Sequence, residues 1–144
     1  MPFQGSPVQI WYEAAPLDKV RMREVLHPDV VFNVCVGWPN GGTFKGPDAV
    51  LGEFFPIAAR AWERVTPDID EVIEAGDTYV VRGHYNGVAA ETHFPFSVEY
   101  VHIWRVRDGQ LISLNQVADT AILAARSAPD AAWLTALERI AAEV

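Results

Sequence analysis

Cysteine, basic side chains and long apolar runs are all scarce in this sequence. The lone Cys35 excludes an internal disulfide. No Cys-x-x-Cys or mixed Cys/His spacing offers a structural zinc site. Only 11 Lys and Arg stand against 19 Asp and Glu, for a net charge of −8. Polyanion binding relies on Lys and Arg replacing counterions, so nucleic acid and anionic membrane surfaces are poor partners. No apolar run reaches the ~18 residues of a membrane span. The opening stretch, with Pro2, Gly5 and Pro7, lacks the pattern of a signal peptide. A cytoplasmic protein is the expectation.

What is present suits one globular domain across residues 1–144. Half of the 144 residues are hydrophobic and 21% are charged, a composition that builds a core. Ser6-Pro7-Val8-Gln9 has the form of a capping box with proline at the first helical position. Apolar residues from Ile10 to Leu26, interrupted at Pro16, predict two short helices or one kinked helix over residues 7–26. Val30 to Val36 is β-branched and aromatic, and the Gly37–Gly42 loop ends it. Thr43 to Lys45 reads as a brief strand, and Gly46-Pro47-Asp48 opens a helix that Pro56 interrupts.

The second half reads as strands over 68–75, 78–88, 96–106 and 110–118, joined by tight turns in an antiparallel meander. After Pro129-Asp130, the stripe Trp133, Leu137, Ile140 and Val144 predicts a terminal helix over about 130–143. Helices followed by strands give an α+β domain, a curved antiparallel sheet wrapped on the N-terminal helices. A hollow opens where the bent sheet leaves them.

Alternation divides each strand into two faces. In the strand from Thr78, one set holds Arg82, His84 and Asn86, and the other Tyr79, Val81, Gly83, Tyr85 and Gly87. The first is placed inward. In the next strand Tyr100, His102 and Trp104 share a face. A three-residue loop, Arg107-Asp108-Gly109, pairs His102 with Leu114 and Tyr100 with Gln116. A two-residue turn brings in Asn115 and Val117 instead. The first is preferred, since it leaves Ile112, Leu114 and Ala118 as an apolar face with Gln116 its one polar member.

Several motifs in order resemble a known family. Phe44-Lys45-Gly46-Pro47-Asp48-Ala49-Val50 with Glu53-Phe54-Phe55, Glu74 to Gly83, Trp104 to Leu111 and Val117-Ala118-Asp119-Thr120 are similar to the SnoaL-like branch of the nuclear transport factor 2-like superfamily. Polyketide cyclases, ketosteroid isomerases and limonene-epoxide hydrolases are its relatives. The resemblance spans about residues 7–124. It implies a cone-shaped fold with a deep apolar pocket, a homodimer built on the outer sheet face, and chemistry without a cofactor.

In the isomerases a carboxylate base is joined by hydrogen-bond donors. Val34 falls where that base would sit, His102 replaces one donor, and the tyrosine donor falls near Ile10, Trp11 or Tyr12. Of the epoxide hydrolase set only Arg82 survives, with Gln116 in place of an Asp. Asp119 is the nearest match to the cyclase base.

The resulting expectation is an enzyme acting on a hydrophobic cyclic or carbonyl-bearing molecule. His84 is the general acid or base, and His102 polarises a carbonyl or carries a second proton. Asp119 is a further catalytic candidate. Arg82 and Gln116 orient the substrate, while Trp11, Phe32, Tyr100, Trp104 and Leu114 supply apolar wall. The rival expectation is a non-catalytic binding or dimerisation module of the same fold. His84, His93 and His102 lack supporting carboxylate spacing and are not read as a metal site.

Overall fold

The computed structural model describes residues 2–128, 139 and 141–143. Helix α1 spans Pro7–Ala14. The Ser6 hydroxyl accepts from the Gln9 backbone N–H at 3.2 Å, and Gln9 Oε1 accepts from the Gly5 N–H. Helix α2, Lys19–Val25, is capped by Asp18. Two helices therefore occupy the first expected helical region. Their buried faces carry Val8, Trp11 and Ala14, then Met22 and Val25.

The expected interruption around Pro56 takes a different form. A helical segment, α3, covers residues 47–61 and changes pitch along its length. An α-turn (Pro47–Ala49) leads into a π-helical turn (Val50–Phe54), then α (Phe55–Ala58) and a final 3-10 turn (Ala59–Ala61). The wide turn buries Val50, Leu51 and Phe54 together. The Phe55 N–H closes it on the Val50 carbonyl, and Pro56, which has no N–H to donate, falls in the first turn of the α segment that follows.

Six strands form the sheet: β1 (Leu26–Val34) and β2 (Gly42–Lys45) before α3, and β3 (Trp62–Ala75), β4 (Thr78–Ala89), β5 (Pro95–Arg107) and β6 (Gln110–Ala118) after it. Their order is β2-β1-β6-β5-β4-β3. All neighbours are antiparallel except β1 and β6, which run parallel. A hairpin cannot join parallel strands, so this pairing needs the long connection through α3 and the meander. Pro67 lies in the edge strand β3, where a missing N–H is tolerated. Helix α4, Thr120–Ser127, follows the sheet. The helix expected over about 130–143 lies largely outside the described residues.

One expectation about facing and one about register are corrected. On β4 the buried set is Tyr79, Val81 and Gly83, with Tyr85 on the same side. Arg82 and His84 point outward. Gly83 makes the reason visible: a Cβ there would lie 2.1 Å from the Asp68 carbonyl oxygen and 2.7 Å from Tyr100 Oη. The inward side at that position is so close-packed that only glycine fits.

The second correction concerns the final hairpin. Arg107 pairs with Gln110 across a two-residue turn, with Asp108 and Gly109 at φ of 52° and 73°. Both left-handed residues match the twist of a tight hairpin. A bulge then separates Arg105↔Ser113 from Val106↔Leu111. The extra residue, Ile112, restores the parity that the shorter turn would have reversed. His102 thus faces Gln116 and Trp104 faces Leu114. The expected partners were wrong by two residues, yet Leu114 and Gln116 still point inward.

Candidate functional site

Between the inner face of the sheet and the helices lies a cavity of about 580 Å3. Its wall is dominated by aromatic rings, among them Trp11, Phe32, Trp38, Phe54, Phe55 and Trp62. Trp11 meets Phe32 and Trp104 edge-on at 5.4 and 5.7 Å between centroids. Trp38 packs against Tyr85 at 4.5 Å and Trp62 at 5.1 Å. Such tilted contacts are the favoured geometry for ring pairs and hold the wall in shape. Trp38, from the Gly- and Pro-containing loop, is therefore part of the wall.

Besides Lys19, Glu63 and Arg64, the cavity is lined by polar groups that form one connected array. His102, on β5, is 5% exposed. Its Nδ1 lies 2.5 Å from Tyr12 Oη on α1, and its Nε2 lies 2.5 Å from Tyr85 Oη on β4. Trp104 Nε1 donates to Tyr12 Oη at 2.9 Å, and Gln116 Nε2 donates to Tyr85 Oη at 3.2 Å. The Cys35 thiol donates to Gln116 Oε1 at 3.5 Å, which turns the amide N–H toward Tyr85. Tyr12, Tyr85, His102 and Gln116 all line the cavity.

Burial sets the charge state of the array. Among the described residues no carboxylate bonds His102, and its ring lies 4.2 Å from that of Tyr100 between centroids. Desolvation pushes its pKa down to about 3, so the imidazole is neutral at physiological pH. The same loss of water raises the pKa of Tyr12, partly offset by the Trp104 hydrogen bond, and raises that of Tyr85. Both phenols therefore keep their protons.

A neutral imidazole has one N–H and one acceptor nitrogen. One tyrosine must donate to it and the other must accept from it. Each phenol oxygen already accepts an indole or amide N–H. Whichever tautomer His102 adopts, the tyrosine that accepts from it takes two N–H bonds and keeps its own O–H for the cavity. That O–H is a hydrogen-bond donor in a largely apolar pocket, where such a bond is stronger than in water.

The other expected site residues fall into two groups. Trp11, Phe32, Leu114, Gln116 and His102 line the cavity as expected, while Trp104 and Tyr100 stand behind it as buried supports. Arg82, His84 and Asp119 do not reach it. Arg82 Nε lies 3.2 Å from Glu71 and its NH1 3.5 Å from Glu99, on the outer face. His84 Nδ1 lies 2.6 Å from Asp70 Oδ2 with its side chain 38% exposed. Asp119 caps α4 by accepting from the Ile122 N–H. These three have surface and capping roles instead, because their carboxylate and backbone N–H partners lie away from the hollow. His93 bonds Glu63 at the rim, so the three histidines do not gather.

Two polar members of the array were not singled out from the sequence. Tyr85 belonged to the β4 set placed outward, although that set held both tyrosines and both glycines. Tyr12 was one of three positions for a tyrosine donor, and it is the one that reaches His102.

The SnoaL-like domain family matches residues 11–114. No curated protein matches the chain. An NTF2-like protein from Burkholderia thailandensis is 27% identical, with a TM-score of 0.79 over 85% of this chain and 95% of that one. A Burkholderia pseudomallei NTF2-like protein of unknown function is 28% identical, with a TM-score of 0.75 over 84% and 94%. A Catenulispora acidiphila protein with a ketosteroid isomerase-like fold, in complex with trimethylamine, shares the fold. It is 20% identical, with a TM-score of 0.71 over 84% and 91%. Among the described residues no helix is long and apolar enough to cross a membrane. With its curved sheet, its aromatic hollow beneath the first helices and its match over residues 11–114, this chain belongs to the SnoaL-like family of the NTF2-like fold.

Proposed function

We propose that the chain is an enzyme that holds an apolar, carbonyl-bearing small molecule in the cavity. It would perform cofactor-free acid–base chemistry of the isomerase, cyclase or dehydratase type. The carrying observation is the surplus hydroxyl hydrogen of the Tyr12–His102–Tyr85 array. Aimed at a carbonyl oxygen, it stabilises the negative charge that develops there when the carbonyl reacts, and the apolar wall that excludes water around a bound substrate magnifies the effect. The aromatic wall supplies the binding energy, at roughly 25 cal/mol per Å2 of apolar surface removed from water.

A second reading, a non-catalytic binding module, is favoured by one observation. The only carboxylate lining the cavity among the described residues is Glu63, which bonds His93. A carbonyl-bearing naphthalene dye, 6-propionyl-2-(dimethylamino)naphthalene, separates the readings, since hydrogen bonding to its carbonyl moves emission to longer wavelength. The protein with both Tyr12→Phe and Tyr85→Phe should bind the dye with emission distinctly bluer than the wild type. Equal emission from the two bound forms would leave only the binding module.

Self-association through the outer sheet face accompanies this proposal. Ile73 and Val117 on that face are 51% and 55% exposed, beside half-buried Val80, Val101 and Ile103. Sedimentation equilibrium should find a dimer that Ile103→Lys converts to monomer. A wild-type monomer at high micromolar concentration would refute the pairing.

A further inference from the structure

The array has two ends, and the polarised carbonyl uses only one. Tyr12 Oη meets Nδ1 and Tyr85 Oη meets Nε2 of the same ring, and both hydroxyls line the same cavity. We propose that Tyr12, His102 and Tyr85 act together as a two-ended proton relay, with a substrate that carries both a hydroxyl and a carbonyl. The reaction is ring closure of an apolar hydroxy-aldehyde or hydroxy-ketone to a cyclic hemiacetal, or its reverse. This inference rests on the carbonyl-polarising site above and extends it to a second catalytic residue, Tyr85.

The step balances without a co-reactant. At the start His102 carries its proton on Nδ1 and donates to Tyr12 Oη, while Tyr85 donates to Nε2. The substrate hydroxyl oxygen attacks the carbonyl carbon and forms the new C–O bond. The carbonyl π bond breaks and its electron pair moves to oxygen, which takes the Tyr12 hydroxyl proton. Tyr12 Oη takes the Nδ1 proton, Nε2 takes the Tyr85 proton, and Tyr85 Oη takes the proton released by the attacking hydroxyl. His102 ends with its proton on Nε2, and no group in the array has gained or lost charge. Ring opening starts from this second tautomer. Water in the emptied cavity returns the array to the first by the same exchange.

Three features of the site favour this path over a single basic residue. Among the described residues no carboxylate hydrogen-bonds either end, so a proton taken from substrate has no anionic acceptor there. The imidazole is buried and resists a net charge, which a tautomeric exchange never gives it. Trp104 and Gln116 each give one of the two phenol oxygens an N–H donor, so both ends of the array are held in place by the protein. The titratable groups facing His102 are Tyr12 from α1, Tyr85 from β4 and Tyr100 from its own strand. Cys35 is linked to it through Gln116 and Tyr85.

Tetra-O-methylglucose tests the relay, because its mutarotation opens and recloses a hemiacetal and is followed by polarimetry. The wild type should accelerate mutarotation in proportion to protein concentration, with a rate flat between pH 5 and 8. Tyr12→Phe and Tyr85→Phe should each lower the catalysed rate by about 100-fold or more, within the usual range for general acid–base groups. His102→Gln bridges both tyrosines through its amide but cannot exchange one N–H for another. It should keep the wild-type emission of the bound naphthalene dye and lose the mutarotation. His84→Ala, on the outer face, should keep the full rate.

A wild-type rate equal to that of buffer would overturn the relay. So would wild-type rates in Tyr85→Phe or His102→Gln, or a rate titrating near pH 6.5. Failure of the carbonyl-polarising site itself would show separately, as unchanged dye emission in the double phenylalanine variant.

Discussion

Acid unfolding of the His102→Gln variant should be markedly less steep than that of the wild type between pH 6.5 and about 3. The folded imidazole is held neutral, with its pKa pushed down to about 3 by burial. In the unfolded chain it takes a proton near pH 6.5. The unfolded state therefore binds more protons throughout that window, and stability falls as pH falls. The histidine's contribution is complete above pH 6.5. It declines by about 1.4 kcal/mol for each pH unit below that, until the folded form also protonates. Glutamine keeps a donor and an acceptor but does not titrate. Between pH 7 and 4.5, urea unfolding should show the wild type losing roughly 2–3 kcal/mol more than His102→Gln. Equal losses in the two proteins would mean that the folded site accepts the charge, and would remove the basis for a neutral relay.

Trp104→Ala should be among the most destabilising substitutions in the molecule, at about 3–5 kcal/mol by denaturant unfolding. Trp104 is fully buried, and its ring meets Trp11, Tyr12 and Phe32 edge-on at 5.7, 6.1 and 5.6 Å between centroids. Alanine opens a void among rigid rings carried by α1, β1 and β5, which have little freedom to close over it. It also removes the indole N–H from Tyr12 Oη. Trp104→Phe should recover most of the stability, since the ring packing is largely kept, but leave that oxygen one donor short. A loss under 1 kcal/mol for alanine would show that the wall is loosely packed. The rigid pocket on which the polarising hydroxyl depends would then be absent.

The α+β class, the order of elements and the hairpin positions were legible because they depend on local chemistry. Ser6 and Pro7 start a helix, Gly76 and Asp108-Gly109 turn the chain, and alternation marks β5 as amphipathic over Tyr100, His102 and Trp104. The motifs also carried the family, which the match over residues 11–114 bears out. The facing of β4 was not legible. Alternation separates Arg82 and His84 from Gly83 and Tyr85, but it is symmetric about which set faces inward. Contact between Gly83 and both the β3 backbone and Tyr100 Oη settled that.

By itself, then, the sequence determined that a bent sheet would lie over short helices and that β5 would offer His102 to the hollow. Periodicity, capping and turn residues act within a few positions of themselves, so they can be read along the chain. The tertiary structure alone decided that Tyr12 and Tyr85 bracket His102, that Gln116 rather than Leu114 stands opposite it, and that Arg82, His84 and Asp119 serve elsewhere. Those outcomes depend on one bulge at Ile112 and on the space available across three strands. Both are properties of packed neighbours distant in the chain.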